Sequence, residues 1–214
     1  MKITCGLLCA VFCLFLGAPL SKADVCGSVV GNLVANCGFE SGDFAGWTLA
    51  GNDVPGEQGN LYGVEGVDPF DGIAPHSGSF QAYFADLDAN ATTLSQSIAT
   101  TSGTSYTVTF YLAQDTATIP PYSNEFSASF GGTSLVSMTG APVEGYTKYS
   151  YTAMATSSST LLSLTLGNDL GEYLLDDVSV TAASRTSTPE PAALGLLLIP
   201  VILVLVKLKR ATAS

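Results

Sequence analysis

Between residues 24 and 183 apolar side chains recur at every second position, and no stretch keeps a convincing 3.6-residue period. Tyr106, Val108, Phe110 and Leu112 alternate with Thr107, Thr109 and Tyr111. Phe126, Ala128 and Phe130 alternate with Ser127 and Ser129, and Tyr149, Tyr151, Ala153 and then Leu162, Leu164, Leu166 continue the pattern. Strand side chains point alternately to the two faces, so each run offers one face to a core and the other to water. Gly, Asn, Pro and Ser clusters interrupt the runs about every 10–15 residues, as in antiparallel sandwiches. About nine strands in about 160 residues predict an all-β chain whose body is a jelly-roll β-sandwich. Gly131-Gly132, between two runs, predicts a tight hairpin turn. Thr and Ser fill the outward positions, which keeps the body soluble although only 12% of the chain is charged.

The charge is unevenly placed. Residues 24–187 hold 17 acidic side chains against Lys148 and Arg185, a net −15, whereas the whole chain stands at −11. A body this acidic repels phosphate backbones, which excludes nucleic acid as a partner. His76 is the single histidine, so most histidine-based catalysis and the usual zinc sites are excluded as well.

Both ends read as export signals. Met1-Lys2, the apolar run from Ile3 to Leu16, and small residues at Ser21 and Ala23 have the layout of a secretory signal peptide, residues 1–23, cleaved after Ala23. An uncleaved anchor is the alternative, and the run is short for a span. Cleavage leaves Cys26 and Cys37, an even pair in an exported chain: one disulfide across the first strand, or two buried thiols. A Ser/Thr linker over 184–188 leads to Pro189-Glu190-Pro191, an uncharged apolar stretch over 192–206, and Lys207, Lys209 and Arg210. Fifteen apolar residues rise about 22 Å as a helix, brief for a layer of about 30 Å, and snorkelling lysines close the gap. The basic cluster acts as a stop-transfer signal and stays cytoplasmic, with the acidic body outside.

Pro189-Glu190-Pro191, the apolar segment and the basic end together resemble the PEP-CTERM sorting tag of bacterial surface and exopolysaccharide-associated proteins. The resemblance rests on about 22 residues of the tag, which spans 189–214, and implies an exosortase-type sorting enzyme as a partner. It also implies a membrane-anchored intermediate that passes to the cell surface or the extracellular matrix. Two features depart from the family: Ala211-Thr212-Ala213-Ser214 follows only three basic residues, and Pro200 interrupts the apolar segment.

A second resemblance covers roughly residues 32–181. Asn36-Cys37-Gly38-Phe39-Glu40, Gly46-Trp47, and the closing Tyr173-Leu174-Leu175-Asp176-Asp177-Val178 look like galactose-binding-like jelly rolls, among them several carbohydrate-binding modules. His76-Ser77-Gly78-Ser79-Phe80-Gln81-Ala82-Tyr83-Phe84 is similar to small acidic sandwich domains that precede PEP-CTERM tags. Simple alternation puts Asp176 on one face with Leu174, Val178 and Val180, toward the core, where an ionised carboxylate needs a partner. With only Lys148 and Arg185 as cations, a hard divalent ion suits oxygen ligands there. The resemblance implies a structural calcium joining the first and last strands, with Glu40 and Asp176 as ligands. A bulge that turns both aspartates to solvent, or Asp176 accepting backbone N–H bonds, are the alternatives.

Other residues read as structural. Trp47, the single tryptophan, reads as a core plug rather than a sugar platform, and Tyr62, Tyr83, Tyr111 and Tyr122 are other platforms. His76 reads as a loop hydrogen-bonder, and the Gly-rich acidic loop from Glu57 to Asp71 as a solvated loop. Three functions follow from these readings. The first is a non-catalytic, surface-sorted protein whose sandwich binds polysaccharide, and the second a structural envelope or matrix component without a discrete ligand. The third is a glycoside hydrolase built on paired carboxylates.

Overall fold

The computed structural model describes residues 23–51, 62–69, 71–85, 91–116 and 124–184. One short helix, α1 (Val25–Ser28), precedes ten strands. These are β1 (Thr48–Ala50), β2 (Tyr62–Glu65), β3 (Gln81–Phe84), β4 (Thr92–Ala99), β5 (Ser105–Gln114), β6 (Asn124–Phe130), β7 (Thr133–Thr139), β8 (Glu144–Met154), β9 (Ser159–Asn168) and β10 (Tyr173–Ala182). They form two antiparallel five-stranded sheets, ordered β1-β4-β9-β6-β7 and β2-β3-β10-β5-β8.

The alternation seen in the sequence decides what faces inward. Leu94, Ile98, Phe126, Ala128, Phe130, Leu162, Leu164 and Leu166 of the first sheet are buried against Val108, Phe110, Leu112, Tyr173, Leu175, Val178 and Val180 of the second. Phe110 lies 5.3 Å from Phe126 across the two layers and 5.4 Å from Tyr149 beside it, ring centre to ring centre. The outward positions of the first sheet carry hydroxyls, and Thr93 and Thr165 bond each other at 3.0 Å. Gly131 and Gly132, at φ 59° and 79°, make the β6–β7 hairpin, a conformation that side-chain-bearing residues resist.

The outer face of the second sheet is roofed by two irregular segments, residues 24–40 and 66–80. Leu33 N–H donates to Val180 O at 2.9 Å, Val178 N–H to Cys37 O at 2.9 Å, and the Gln81 side-chain amide to Ile73 O at 3.1 Å. Cys26 and Cys37 form a disulfide within this roof. The loop it closes holds α1 and turns rather than the expected first strand, because Asp24 caps α1 and Gly31 turns the chain at φ 77°.

The closing strand departs from simple alternation. A bulge between Asp176 and Ser179 shifts the β10–β5 register, with Asp177 at φ 51°. Leu174 and Asp176 consequently stand opposite Ala113 and Tyr111 on the outer side, while Leu175, Val178 and Val180 face the core. The expected shared face of Leu174, Asp176, Val178 and Val180 is therefore split by the extra residue. Asp176 is buried under the roof, not inside the sandwich.

Candidate functional site

Asp176 and Asp177 tie the roof to the sheet. The Asp176 side chain accepts from Ser77 N–H at 3.1 Å and from Asp177 N–H at 2.7 Å. Asp177 accepts from Cys26 N–H at 3.0 Å and Ser77 Oγ at 2.8 Å, and its other oxygen meets His76 Nδ1 at 2.5 Å. Asp tolerates the left-handed region better than most residues, and here the bulge turns its carboxylate toward both roof segments. Of the two alternatives to a cation at Asp176, the N–H bonds are present. The bulge is present too, but it leaves both aspartates covered, at 0% and 2% exposure. Burial, then the charge of Asp177, push the Asp176 carboxyl up to about 8.

Glu40 pins the second roof segment. Its carboxylate accepts from Ser79 N–H at 2.8 Å and Phe80 N–H at 3.1 Å, and its charge adds to the upward push on Asp176. Gly78, at φ 61°, lets the loop pass against that carboxylate. A side chain built on Gly38 would come within 3.2 Å of Asp24 Oδ1 and 3.5 Å of Asp176 Oδ1, so two carboxylates converge on the space that glycine leaves.

His76 stacks on Tyr111 with ring centres 3.6 Å apart and meets Tyr146 edge-on at 5.6 Å. The Tyr146 hydroxyl donates to Gln81 at 2.7 Å, and burial first, then the neighbouring acids, hold it far above the usual phenol range. His76 is thus a loop residue bonded to a carboxylate. Trp47 is 9% exposed and stacks on Phe39 at 5.9 Å, inside the core. Tyr62 packs on Phe44 and Phe84, Tyr83 faces Gly63, and Tyr111 lies under His76. Ala23 is exposed at the start of the described residues. Tyr122, Glu57, Pro189, Glu190, Pro191, Lys207, Lys209 and Arg210 lie outside them, as do the stretch 192–206 and most of the segment 1–23. Among the described residues no helix is long and apolar enough to cross a membrane.

A cleft of about 390 Å³ opens between the two sheets at the end of β7. Leu112, Gln114, Met138, Tyr149 and Tyr173 line it, with Gly140-Ala141-Pro142 and Glu144 at its rim. Its size and its aromatic wall with a few polar groups are those of small-molecule and sugar sites. Tyr173 OH and Gln114 Oε1 of two wall residues are buried and have no hydrogen-bond partner among the described residues, an arrangement native interiors seldom keep. Sequence reasoning missed this cleft. Its one sequence trace is Gln114, a polar residue closing the otherwise apolar stretch Tyr111-Leu112-Ala113.

No protein-family profile matches the chain, and no curated protein matches it. Among solved structures it is similar to TmCBM61, solved in complex with β-1,4-galactotriose, at 18% identity and a TM-score of 0.50, covering 71% of this chain and 99% of that one. It is also similar to the enzymatically active domain of tailspike protein 4 of bacteriophage CBA120, at 15% identity and a TM-score of 0.51, covering 71% of this chain but only 21% of that one. A third likeness is to the CBM22-1 xylan-binding domain of Paenibacillus barcinonensis Xyn10C, at 17% identity and a TM-score of 0.48, covering 78% and 99%. At these identities the first two likenesses are of fold alone: the chain folds as a two-sheet antiparallel β-sandwich.

Proposed function

We propose that the sandwich is a non-catalytic polysaccharide-binding module of an exported bacterial surface or matrix protein. The observation that carries this reading is the cleft, where Tyr149 and Tyr173 offer aromatic surface and Tyr173 OH and Gln114 Oε1 await a partner. Sugar hydroxyls both donate and accept, and their ring faces pack on aromatic ones. The shared fold of TmCBM61 supports the class of ligand without naming the sugar. The two ends supply the route: cleavage after Ala23, retention by residues 192–206 with Lys207, Lys209 and Arg210 inside, and exosortase-type recognition of Pro189-Glu190-Pro191.

A structural calcium at Asp176 belongs to the same proposal. What supports it is that Asp24 and Asp176 converge beside Gly38 and that Asp176 retains lone pairs, while Glu40 is bonded to Ser79 and Phe80 N–H and contributes its charge. Bound there, the ion would supply charge compensation and no chemistry. Calorimetry of the chain with and without EDTA tests it; a melting temperature that EDTA leaves unchanged excludes it.

A glycan array and pull-downs on insoluble polysaccharides test the binding reading. The chain is retained on at least one polysaccharide, and Tyr173→Phe, which removes only the unpartnered hydroxyl, lowers retention without lowering the melting temperature. Absence of retention on every glycan tried, with the protein folded, favours the ligand-free structural component. Turnover of a reporter glycoside, lost on carboxylate substitution, would restore the hydrolase.

A further inference from the structure

Five carboxylates from three separate stretches of the chain meet at one end of the second sheet. Glu65 ends β2, Asp68 and Asp71 lie in the turn after it, Asp115 follows β5, and Glu172 precedes β10. Ligand oxygens of Glu65, Asp68 and Glu172 fall within 4.8 Å of one another, and so do those of Asp68, Asp71 and Asp115, so Asp68 is common to both groups. The chain holds them tightly: Glu172 N–H donates to Asp115 Oδ1 at 2.6 Å, Asp71 N–H to Asp68 Oδ1 at 3.3 Å, and Asp68 N–H to Ile73 O at 2.9 Å. At Gly171 a side chain would collide with Asp115, so the backbone passes hard against the cluster.

A group of acids alone is no site, but Glu172 adds a separate observation. It is 9% exposed, and its Oε2 is buried without a hydrogen-bond partner among the described residues. Burial and the charges of Glu65, Asp68, Asp115 and Asp71 raise its carboxyl to about 7, and burial raises Asp115 as well. Among the described residues there is little positive charge to neutralise them. Lys148 is the one Lys or Arg among the described residues, and it lines a different hollow with Tyr111 and Asp177. Buried like charges at this spacing stay together only if protonated or bridged by a cation.

We propose that Glu65, Asp68, Asp71, Asp115 and Glu172 form a divalent-cation site, selective for a hard ion of the Ca²⁺ class, separate from Glu40 and Asp176. Carboxylate oxygens from three chain segments meet the preference of Ca²⁺ for oxygen ligands, with the buried Glu172 Oε2 among them. The ion would clamp the 66–80 roof segment to the ends of β5 and β10.

The test is calorimetric titration of the chelator-treated full chain with CaCl₂, together with thermal unfolding in EDTA and in calcium. The chain binds Ca²⁺ and melts higher with it. Glu172→Gln and Asp68→Asn each weaken this binding by about tenfold or more, while Asp176→Asn leaves it in place. Glu172→Gln removes one of the mutually repelling charges, so in EDTA it melts at or above the unsubstituted chain, and in calcium it melts below it. That reversal separates loss of a ligand from failure to fold. Absence of calcium heat, or binding that survives Glu172→Gln and Asp68→Asn but is lost with Asp176→Asn, overturns the proposal.

Discussion

Gly78→Ala tests how the roof is fastened. Gly78 sits at φ 61°, and a Cβ there would overlap the Glu40 carboxylate, which bonds Ser79 N–H at 2.8 Å and Phe80 N–H at 3.1 Å. Two costs follow. Placing alanine in the left-handed region costs about 1–2 kcal/mol. Displacing the carboxylate forfeits charge-assisted bonds worth about 1.5 kcal/mol, the lower end of their range because Glu40 is half-exposed. The sum is about 3 kcal/mol, or a fall in Tm of about 6–12 °C for a domain of this size. The assay is a double-mutant cycle by thermal and urea unfolding, with Gly78→Ala, Glu40→Ala and the pair all in EDTA so that cation binding contributes nothing. With Glu40 truncated there is no carboxylate to displace, so Gly78→Ala costs only its backbone share and the coupling is about 1.5 kcal/mol. Strict additivity would refute the reasoning, since it would mean that Glu40 does not hold the 77–80 turn.

Three further outcomes follow from the same geometry. Replacing Cys26 and Cys37 together by serine opens a link spanning 11 positions, which costs about 3 kcal/mol on the chain-entropy account and is read as a Tm fall of about 6–12 °C that dithiothreitol reproduces in the unsubstituted chain. Phe110→Ala removes a fully buried ring packed on Phe126 and Tyr149, costing about 3–5 kcal/mol in urea unfolding. Raising NaCl from about 0.01 M to about 1 M shortens the screening length from about 30 Å to about 3 Å, so in EDTA this acidic chain gains Tm with salt, and it gains less once calcium is present.

The sandwich was legible because its signal is local. Period-two patterning at Phe126, Ala128 and Phe130, or at Leu162, Leu164 and Leu166, is written into single strands, and Gly131-Gly132 marks its own hairpin. The excess of acid over base was equally plain from composition. The site was less legible, because it depends on what the topology brings together. Glu65 and Glu172 stand 107 positions apart and meet only because β2, β3, β10 and β5 are neighbours in one sheet. Strict alternation put Asp176 on the core face and left a bulge as an alternative only, since one residue at positive φ reverses the face of everything after it. The cleft beside Tyr173 arises where the β7–β8 connection meets the end of β5, and no pattern within one strand announces it.

The two faces of the sandwich differ in how each is hydrated and held. Outward from the first sheet stand Thr93, Ser95, Ser97, Ser127, Ser129, Ser163 and Thr165, with Glu125 as the acid among them. Hydroxyls hydrate this face without fields or buried charge. The second sheet carries Glu65, Asp176 and Asp177 beneath a roof whose attachment runs largely through carboxylates accepting N–H bonds. A roof fastened by acids, in a body with Lys148 as its one described cation, is held more firmly as divalent ions neutralise it. The cleft lined by Tyr149 and Tyr173 lies between the sheets, outside that roof. Cation binding should therefore govern whether the roof stays closed, while the cleft is built from side chains the cations do not touch.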